Sequence, residues 1–270
     1  MRGASRTSLA EVSEQLDAAA AGTGAAATIG DELFAIAGLL DAEHPLRRTL
    51  TDPARDPGSK AGLIRSLLTG KVSEPTLDLI ASMAAARWSA PRDLGDAAEE
   101  LGVRALAIAA EEAGQLDDLE DDLFRFGRVV EAQPELYFAL SNPYLPADRK
   151  RQLLDALLGG KVAPVAERLI TEAVIHPRGR SLEGSLDAFA KLAAERRQRL
   201  VAEVRVASAL SERQQDRLAA ALANLYGHQV HLNIVLDPQV IGGMSIQVGE
   251  ELIDASVASR LADLRRRLAG

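Results

Sequence analysis

The sequence predicts a mostly α-helical chain with a small α/β part: a partly duplicated helical bundle followed by a β-α-β-β-β-α domain. Aromatic residues make up only 3% of the chain. Its many Ala and Leu residues favour helices packed through small contacts, where an all-β core would carry more Val, Ile, Tyr and Phe. A block of residues recurs at a constant offset of 90. Near Leu200 the apolar period changes from 3.6 to 2, the mark of a passage from helices to strands.

The 270 residues suffice for two modest domains, or for a helical array with a small appended domain. Ser5 to Ala20 reads as a helix with Leu9, Val12 and Leu16 on one stripe. The Gly-containing run from Ala20 to Ala27 breaks it. A second helix, about Ile29 to Asp41, carries Leu33, Ile36, Ala37 and Leu40, and His44-Pro45 interrupts it.

From Leu46 to Val72 the chain matches Leu136 to Val162. Leu50, Asp52-Pro53, Lys60, Ile64, Leu68 and Gly70-Lys71-Val72 face Leu140, Asn142-Pro143, Lys150, Leu154, Leu158 and Gly160-Lys161-Val162, each pair 90 residues apart. Glu32-Leu33-Phe34 facing Asp122-Leu123-Phe124 and Leu79-Ile80 facing Leu169-Ile170 extend the match at the same offset. One helical unit therefore occurs twice, packed in series. Each copy reads as a short helix ending at the X-Pro pair, a basic helix, a Gly-Lys-Val turn and an apolar helix.

Asp93 to Ala113 joins the copies at helical spacing. The acidic stretch after it ends one helix and is expected to supply an N-cap for the next. Seven carboxylates lie between Glu111 and Asp122, without the Gly and oxygen-ligand spacing of a calcium loop, so a solvated acidic corner is expected. Val165 to Ile175 forms an apolar stripe rich in small residues, stopped by His176-Pro177. A long helix from about Leu182 to Arg199 leads out, with Leu182, Leu186, Phe189 and Leu192 facing inward. His44 and His176, each before a Pro, read as loop or cap residues at equivalent ends of the two copies.

Beyond Leu200, Ala202, Val204 and Val206 alternate with Glu203 and Arg205. Ser211-Glu-Arg-Gln214 is a capping box opening a helix to Tyr226. Val230, Leu232, Ile234 and Leu236 then alternate on one strand face, and Met244, Ile246 and Val248 on another, so that the two runs are expected to pair as a hairpin across Asp237-Pro238 and Gly242-Gly243. A short strand at Glu251–Asp254 follows. Last comes a helix from about Ser256 to Leu268, with Val257, Leu261, Leu264 and Leu268 on one stripe.

The same reading excludes much chemistry. There are no cysteines, hence no disulfides, thiolate metal sites or Cys nucleophiles. A net charge of −8 argues against a general nucleic-acid binder, and the basic clusters at Arg196–Arg199 and Arg265–Arg267 suit solvated helix ends. No apolar run approaches membrane-spanning length and the N-terminus lacks the apolar core of a secretory signal, so membrane association is expected only through a partner. Gly242-Gly243 runs into a strand, not a helix N-terminus, and cradles no phosphate. His228-x-x-His231 has no third ligand. No Ser or Thr sits in a nucleophile elbow and no acid pair can be placed on one cleft from the sequence; no catalytic residue, metal or cofactor is expected.

The order Val230-x-Leu232-x-x-x-Leu236-Asp237-x-x-Val240-x-Gly242-Gly243-Met244-x-Ile246-Gln247-x-Gly249, followed by Ile253-Asp254-x-Ser256-Val257, resembles the C-terminal signature of the F-type ATP synthase δ subunit, the family of the oligomycin-sensitivity-conferring protein. The similarity runs from Val103-Arg104-Ala105-Leu106, which looks like the family's opening helix, to Leu268. It implies a six-helix bundle joined to a small α/β domain. The expected divisions are an extra bundle copy over 1–96, the δ-like bundle over 97–199 and the α/β domain over 200–270. The extra copy resembles the extended actinobacterial form.

The resemblance implies a non-catalytic stator subunit on the cytoplasmic face of the bacterial plasma membrane, peripheral, linking the α/β ring to the b subunit of the peripheral stalk. By family, a groove between the first and fifth helices, about Val103 to Ala113 and Val165 to Ile175, holds the N-terminal helix of an α subunit. Leu106, Ala107, Ala166, Ile170 and Ala173 lie there. Periodicity alone leaves open whether they line a groove or fill a bundle core. The b subunit would meet the signature region and last helix, with Asp237, Gly242, Gly243, Ile246, Gly249, Val257, Leu261 and Leu264 on that side. A free-standing helical-repeat adaptor is the alternative from another class, and an enzyme built on the hairpin loop and His pair a weaker one.

Overall fold

The computed structural model describes residues 1–20, 22–198, 201–207, 210–226, 231–237, 244–248 and 251–254. Eleven helices come first: α1 (Ala4–Ala20), α2 (Ala26–Ala42), α3 (His44–Thr51), α4 (Pro57–Leu68), α5 (Glu74–Ala85), α6 (Pro91–Glu112), α7 (Leu116–Ala132), α8 (Pro134–Ser141), α9 (Ala147–Leu158), α10 (Pro164–Ile175) and α11 (Leu182–Gln198). Then follow β1 (Val201–Val206), α12 (Glu212–Tyr226), β2 (His231–Leu236), β3 (Met244–Val248) and β4 (Glu251–Asp254). Two compact units result, Met1–Ala194 and Glu195–Gly270.

The repeat is carried into the helix limits. Helices α2 to α5 begin and end 90 residues before α7 to α10. Shifted by 90, α1 falls on residues 94–110 and α11 on 92–108, both inside α6. One helix thus closes the first copy and opens the second, and position 96/97 lies within it.

Local chemistry repeats as well. Pro stands at the first turn of α3, α4, α5, α8 and α10, where its missing N–H has no helical partner to lose. Asp52 Oδ1 accepts from Ala54 N and Asn142 Oδ1 from Tyr144 N, each at 2.9 Å, so the same side-chain turn follows α3 and α8. Gly70 and Gly160 take φ +75° and +69° after α4 and α9, a left-handed stop that an L side chain resists. Glu32 on α2 accepts from Ser73 N at 2.9 Å, and Asp122 on α7 from Ala163 N at 2.8 Å. An acid from the long helix thereby satisfies a free N–H at the start of α5 and of α10.

The first copy's core joins Val12, Leu16, Ile29, Leu33, Leu50, Ile64, Leu79 and Met83 to Leu94, Leu101 and Ile108 of α6. In the second copy Leu123, Phe126, Leu140, Leu154, Leu169, Leu186 and Phe189 are buried. Two local expectations fail here. Gln115 precedes α7 with no side-chain cap, and the acids stand instead at Asp117 and Asp118 in its first turn, where the helix dipole favours them. His44 opens α3 whereas His176 follows α10; the counterpart of His176 is Ala86 after α5, so the histidines are not equivalent.

The second unit holds a four-stranded sheet in the order β2-β1-β3-β4. β1 pairs β2 in parallel, Val204 opposite Ile234, and β3 antiparallel, Val204 opposite Ile246. The hairpin expected between β2 and β3 is therefore not formed: β1 lies between them, and the antiparallel neighbour of β3 beyond it is β4. Alternation fixes which face a strand buries but not which strand it pairs with, and a long connection leaves room for a third strand. The buried face is the one alternation predicts. Val204, Val206 and Ile246 form a core with Leu232, Ile234 and Met244, covered by Leu218 and Leu222 of α12. Gln214 Oε1 accepts from Ser211 N at 2.9 Å, the reciprocal half of the expected capping box.

Candidate partner-binding face

Helices α6 and α10 lie side by side in the helical unit, and the five residues singled out between them are buried. Leu106, Ala107, Ala166 and Ile170 are 0% exposed and Ala173 is 1% exposed. The roof over α6 is α2. A Cβ at Gly30 of α2 would stand 2.9 Å from Leu106 Cδ2 and 3.2 Å from the Gly102 carbonyl oxygen, so only glycine permits this approach. Opposite it, a Cβ at Gly102 would lie 3.1 Å from the Phe34 ring. On its outer flank α2 faces α10: Asp31 and Arg168 pair at 3.4 Å. A cleft of about 580 Å³ runs between the two helices, lined by Phe34, Ala35, Gly38, Pro164, Glu167 and Thr171 among others.

The loop after α10 ties the copies together. Arg178, at φ +51°, places Nη2 3.1 Å from Asp41 Oδ1 on α2 and 3.2 Å from Asp96 Oδ1 on α6. Arg180 donates to Glu99 of α6, and Arg92 to the Arg178 carbonyl. Burial pushes the Glu99 carboxyl above its ordinary value, against the pull of Arg180. His176 is raised by its hydrogen bond to Glu172, 3.0 Å away.

Sequence reasoning does not single out Gly30, Gly102, Glu99, Arg178 or Arg180, and gives Phe34 only as a position of the repeat. The signal present is a glycine inside each of two facing helical stripes; for the arginines there is none, because an irregular loop has no period.

In the second unit, Asp237 N donates to the Val206 carbonyl at 2.9 Å at the end of β2, and Ile246 is buried in β3. Gly242, Gly243, Gly249, Val257, Leu261 and Leu264 lie outside the described residues, as does the expected last helix. His231 begins β2 and His228 is not described. Among the described residues no three His, Cys, Asp or Glu side chains are placed to hold a metal ion.

What this arrangement offers is helical surface and, in the second unit, a small sheet. The family model described as ATP synthase delta (OSCP) subunit matches residues 103–268. The ATP synthase subunit delta of Streptomyces griseus is 52% identical over all of this chain and all of that protein. That of Thermobifida fusca is 50% identical, again over the full length of both. A chain of the Toxoplasma gondii mitochondrial ATP synthase hexamer is 25% identical, covering 62% of this chain and 95% of that one; its TM-score of 0.32 is too low to bear on the fold. The chain belongs to the ATP synthase delta (OSCP) subunit family, whose members are non-catalytic stator subunits of the enzyme. The first hundred residues, ahead of the family model, are shared with these bacterial relatives and are no private extension.

Proposed function

We propose that this chain is the link between the catalytic head and the peripheral stalk, attaching to the α/β ring through its helical unit and to the b subunit through its C-terminal unit. Rotor torque would otherwise carry the ring round with it, so the link lets proton-driven rotation do work on the catalytic sites. The single observation that supports this most is identity of about half across the whole length of bacterial δ subunits, both units included. Two attachments in one chain make the second effectively intramolecular, so moderate contacts add up to firm anchorage. Among the described residues no helix is long and apolar enough to cross a membrane. In this reading the chain sits peripherally on the cytoplasmic face, held there by its partners. On the b side, Ile246 lies in β3 and Asp237 just beyond the end of β2, at the sheet that would present the signature.

The test is affinity purification of the tagged chain from gently solubilised native membranes, with mass spectrometry of what accompanies it. Recovery of α, β and b subunits is expected. Soluble partners alone, with the ATP synthase intact elsewhere, would replace the stator reading by that of a free adaptor.

A further inference from the structure

The corner where the loop after α10 meets the first copy encloses a hollow of about 270 Å³, lined by Asp41 of α2, His44 and Arg47 of α3, Arg92 of α6, and Arg178 and Gly179 of the loop. Arginine dominates its wall. Arg47 Nη1 and Arg178 Nη2 share one oxygen, Asp41 Oδ1, at 3.2 and 3.1 Å, and Arg178 Nη2 also lies 3.2 Å from Asp96 Oδ1. Arg92 stands at the rim with its side chain 60% exposed, Nε 3.7 Å from Asp96 Oδ2. Three guanidinium groups are thus gathered around two carboxylates, and among these five groups one positive charge is left in excess.

Donor capacity is left over as well. The Nε atoms of Arg47 and Arg178 are buried with no hydrogen-bond partner, and the Arg178 side chain is 4% exposed, so an unmet donor there is costly. Glycine makes the room: a Cβ on Gly179, at φ +76°, would stand 3.4 Å from Arg92 Nη2, and one on Gly95 would stand 2.7 Å from Arg178 Nη2. The ligand chemistry that suits several guanidinium forks is a compact oxyanion, whose oxygens accept their N–H groups in pairs. We propose that this hollow binds a phosphate group, free or at the end of a nucleotide, and that the bound anion fastens the loop after α10 to α3 and α6. Neither copy holds the site alone. At the offset of 90, Arg47 faces Tyr137 and Arg178 faces Trp88, so the cluster exists only where the two copies meet.

The test is calorimetric titration of inorganic phosphate into the full-length chain, with chloride at matched ionic strength as the control. Saturable binding with a Kd of about 1 mM or tighter is expected, together with a phosphate-dependent rise in Tm. Arg92→Gln, which removes a charge, and Arg47→Lys, which keeps the charge but loses the fork, should each weaken binding about fivefold or more. Arg125→Gln removes the same charge from an exposed position on α7 and should change binding by less than about twofold. ADP in place of phosphate separates the sources: tighter binding than phosphate assigns a nucleotide, equal or weaker binding the free ion. No binding beyond the chloride control overturns the proposal, as does binding that Arg92→Gln and Arg47→Lys leave unchanged or that Arg125→Gln weakens equally. If Arg47→Lys loses its helical circular dichroism, the exposed Arg92 decides through Arg92→Gln alone. None of these readouts depends on the α or b subunits, so the stator reading and this one can fail separately.

Discussion

Removing the Arg178 side chain should cost the helical unit about 3 kcal/mol, because it ties the loop after α10 to both α2 and α6. The guanidinium side chain is 4% exposed and bonds Asp41 and Asp96, which are 37% and 32% exposed. A hydrogen bond between charged groups contributes about 1.5–3 kcal/mol. The two aspartates regain water on the open side, which reduces the pair to about 2 kcal/mol in total. Loss of the packed aliphatic stem adds about 1 kcal/mol. In a unit of this length that corresponds to a fall in Tm of about 6–12 °C. The assay is urea unfolding of Arg178→Ala, followed by helical circular dichroism and by Trp88, the single tryptophan, whose Nε1 donates to the Met83 carbonyl inside the first copy. A loss under about 0.5 kcal/mol, the size of an ordinary surface substitution, would refute the reasoning. Gly95→Ala sharpens the test. A helix interior favours Ala by about 1 kcal/mol, yet its Cβ would stand 2.7 Å from Arg178 Nη2. The substitution should destabilise the natural chain and stabilise Arg178→Ala, a reversal of sign that only a direct clash explains.

The same contacts set further expectations. Phe34→Ala, at a ring 7% exposed, should cost about 3–4 kcal/mol. Phe124→Ala at the equivalent position, 64% exposed, should change denaturant stability by less than about 0.5 kcal/mol; equal losses would show that the copies are packed alike. Burial raises the Glu32 carboxyl, but hydrogen bonds from Ser73 and Thr76 outweigh it and hold the group below its ordinary value. Its stabilisation is thus present above the unfolded pKa and lost as pH falls through the folded one. Glu32→Gln should be less stable than the natural chain by about 1–2 kcal/mol at neutral pH; a gap that does not shrink in strong acid counts against this account. His176 has the opposite sign. Its pKa is raised above 6.5, so its bond to Glu172 helps below that value and fades as pH rises through the folded pKa. His176→Gln should lose a little stability in mild acid, under about 1 kcal/mol given its exposure, and none in alkali; titration of the ring by NMR gives the direction independently.

The helical unit is legible in the sequence because helix limits follow from local signals that the repeat supplies twice. Pro openings, Gly70 and Gly160, and the Asp52 and Asn142 turns each act within a few residues of themselves. The sheet's buried face is legible for the same reason, as alternation at Leu232, Ile234, Met244 and Ile246 is a local property. Pairing is not. Nothing within Val230 to Val248 announces that β1, some thirty residues earlier, enters between its two strands. The candidate groove is half legible: its five residues stand out as apolar and small, but whether such a stripe faces a partner or the chain itself depends on α2, more than sixty residues away from Leu106. The anchoring loop is silent in sequence, because Arg178 and Arg180 look like solvated charges until their aspartate and glutamate partners are known.

The sharing of α6 has a consequence for how this chain can be altered. Thirteen of its 22 residues are buried, and they occur on every side of it, Leu94, Ala98, Leu101, Ala105 and Ile108 within the first copy's core and Gly102 and Leu106 beneath α2. The duplication did not produce two beads on a string that could be separated by cutting at a linker. It produced two rooms with a party wall. A chain cut back to residue 103 would keep part of the wall and expose to water its papered side, Ala105 and Ile108 included. In such a shortened chain, polar residues at those two positions would be expected to restore a solvated face.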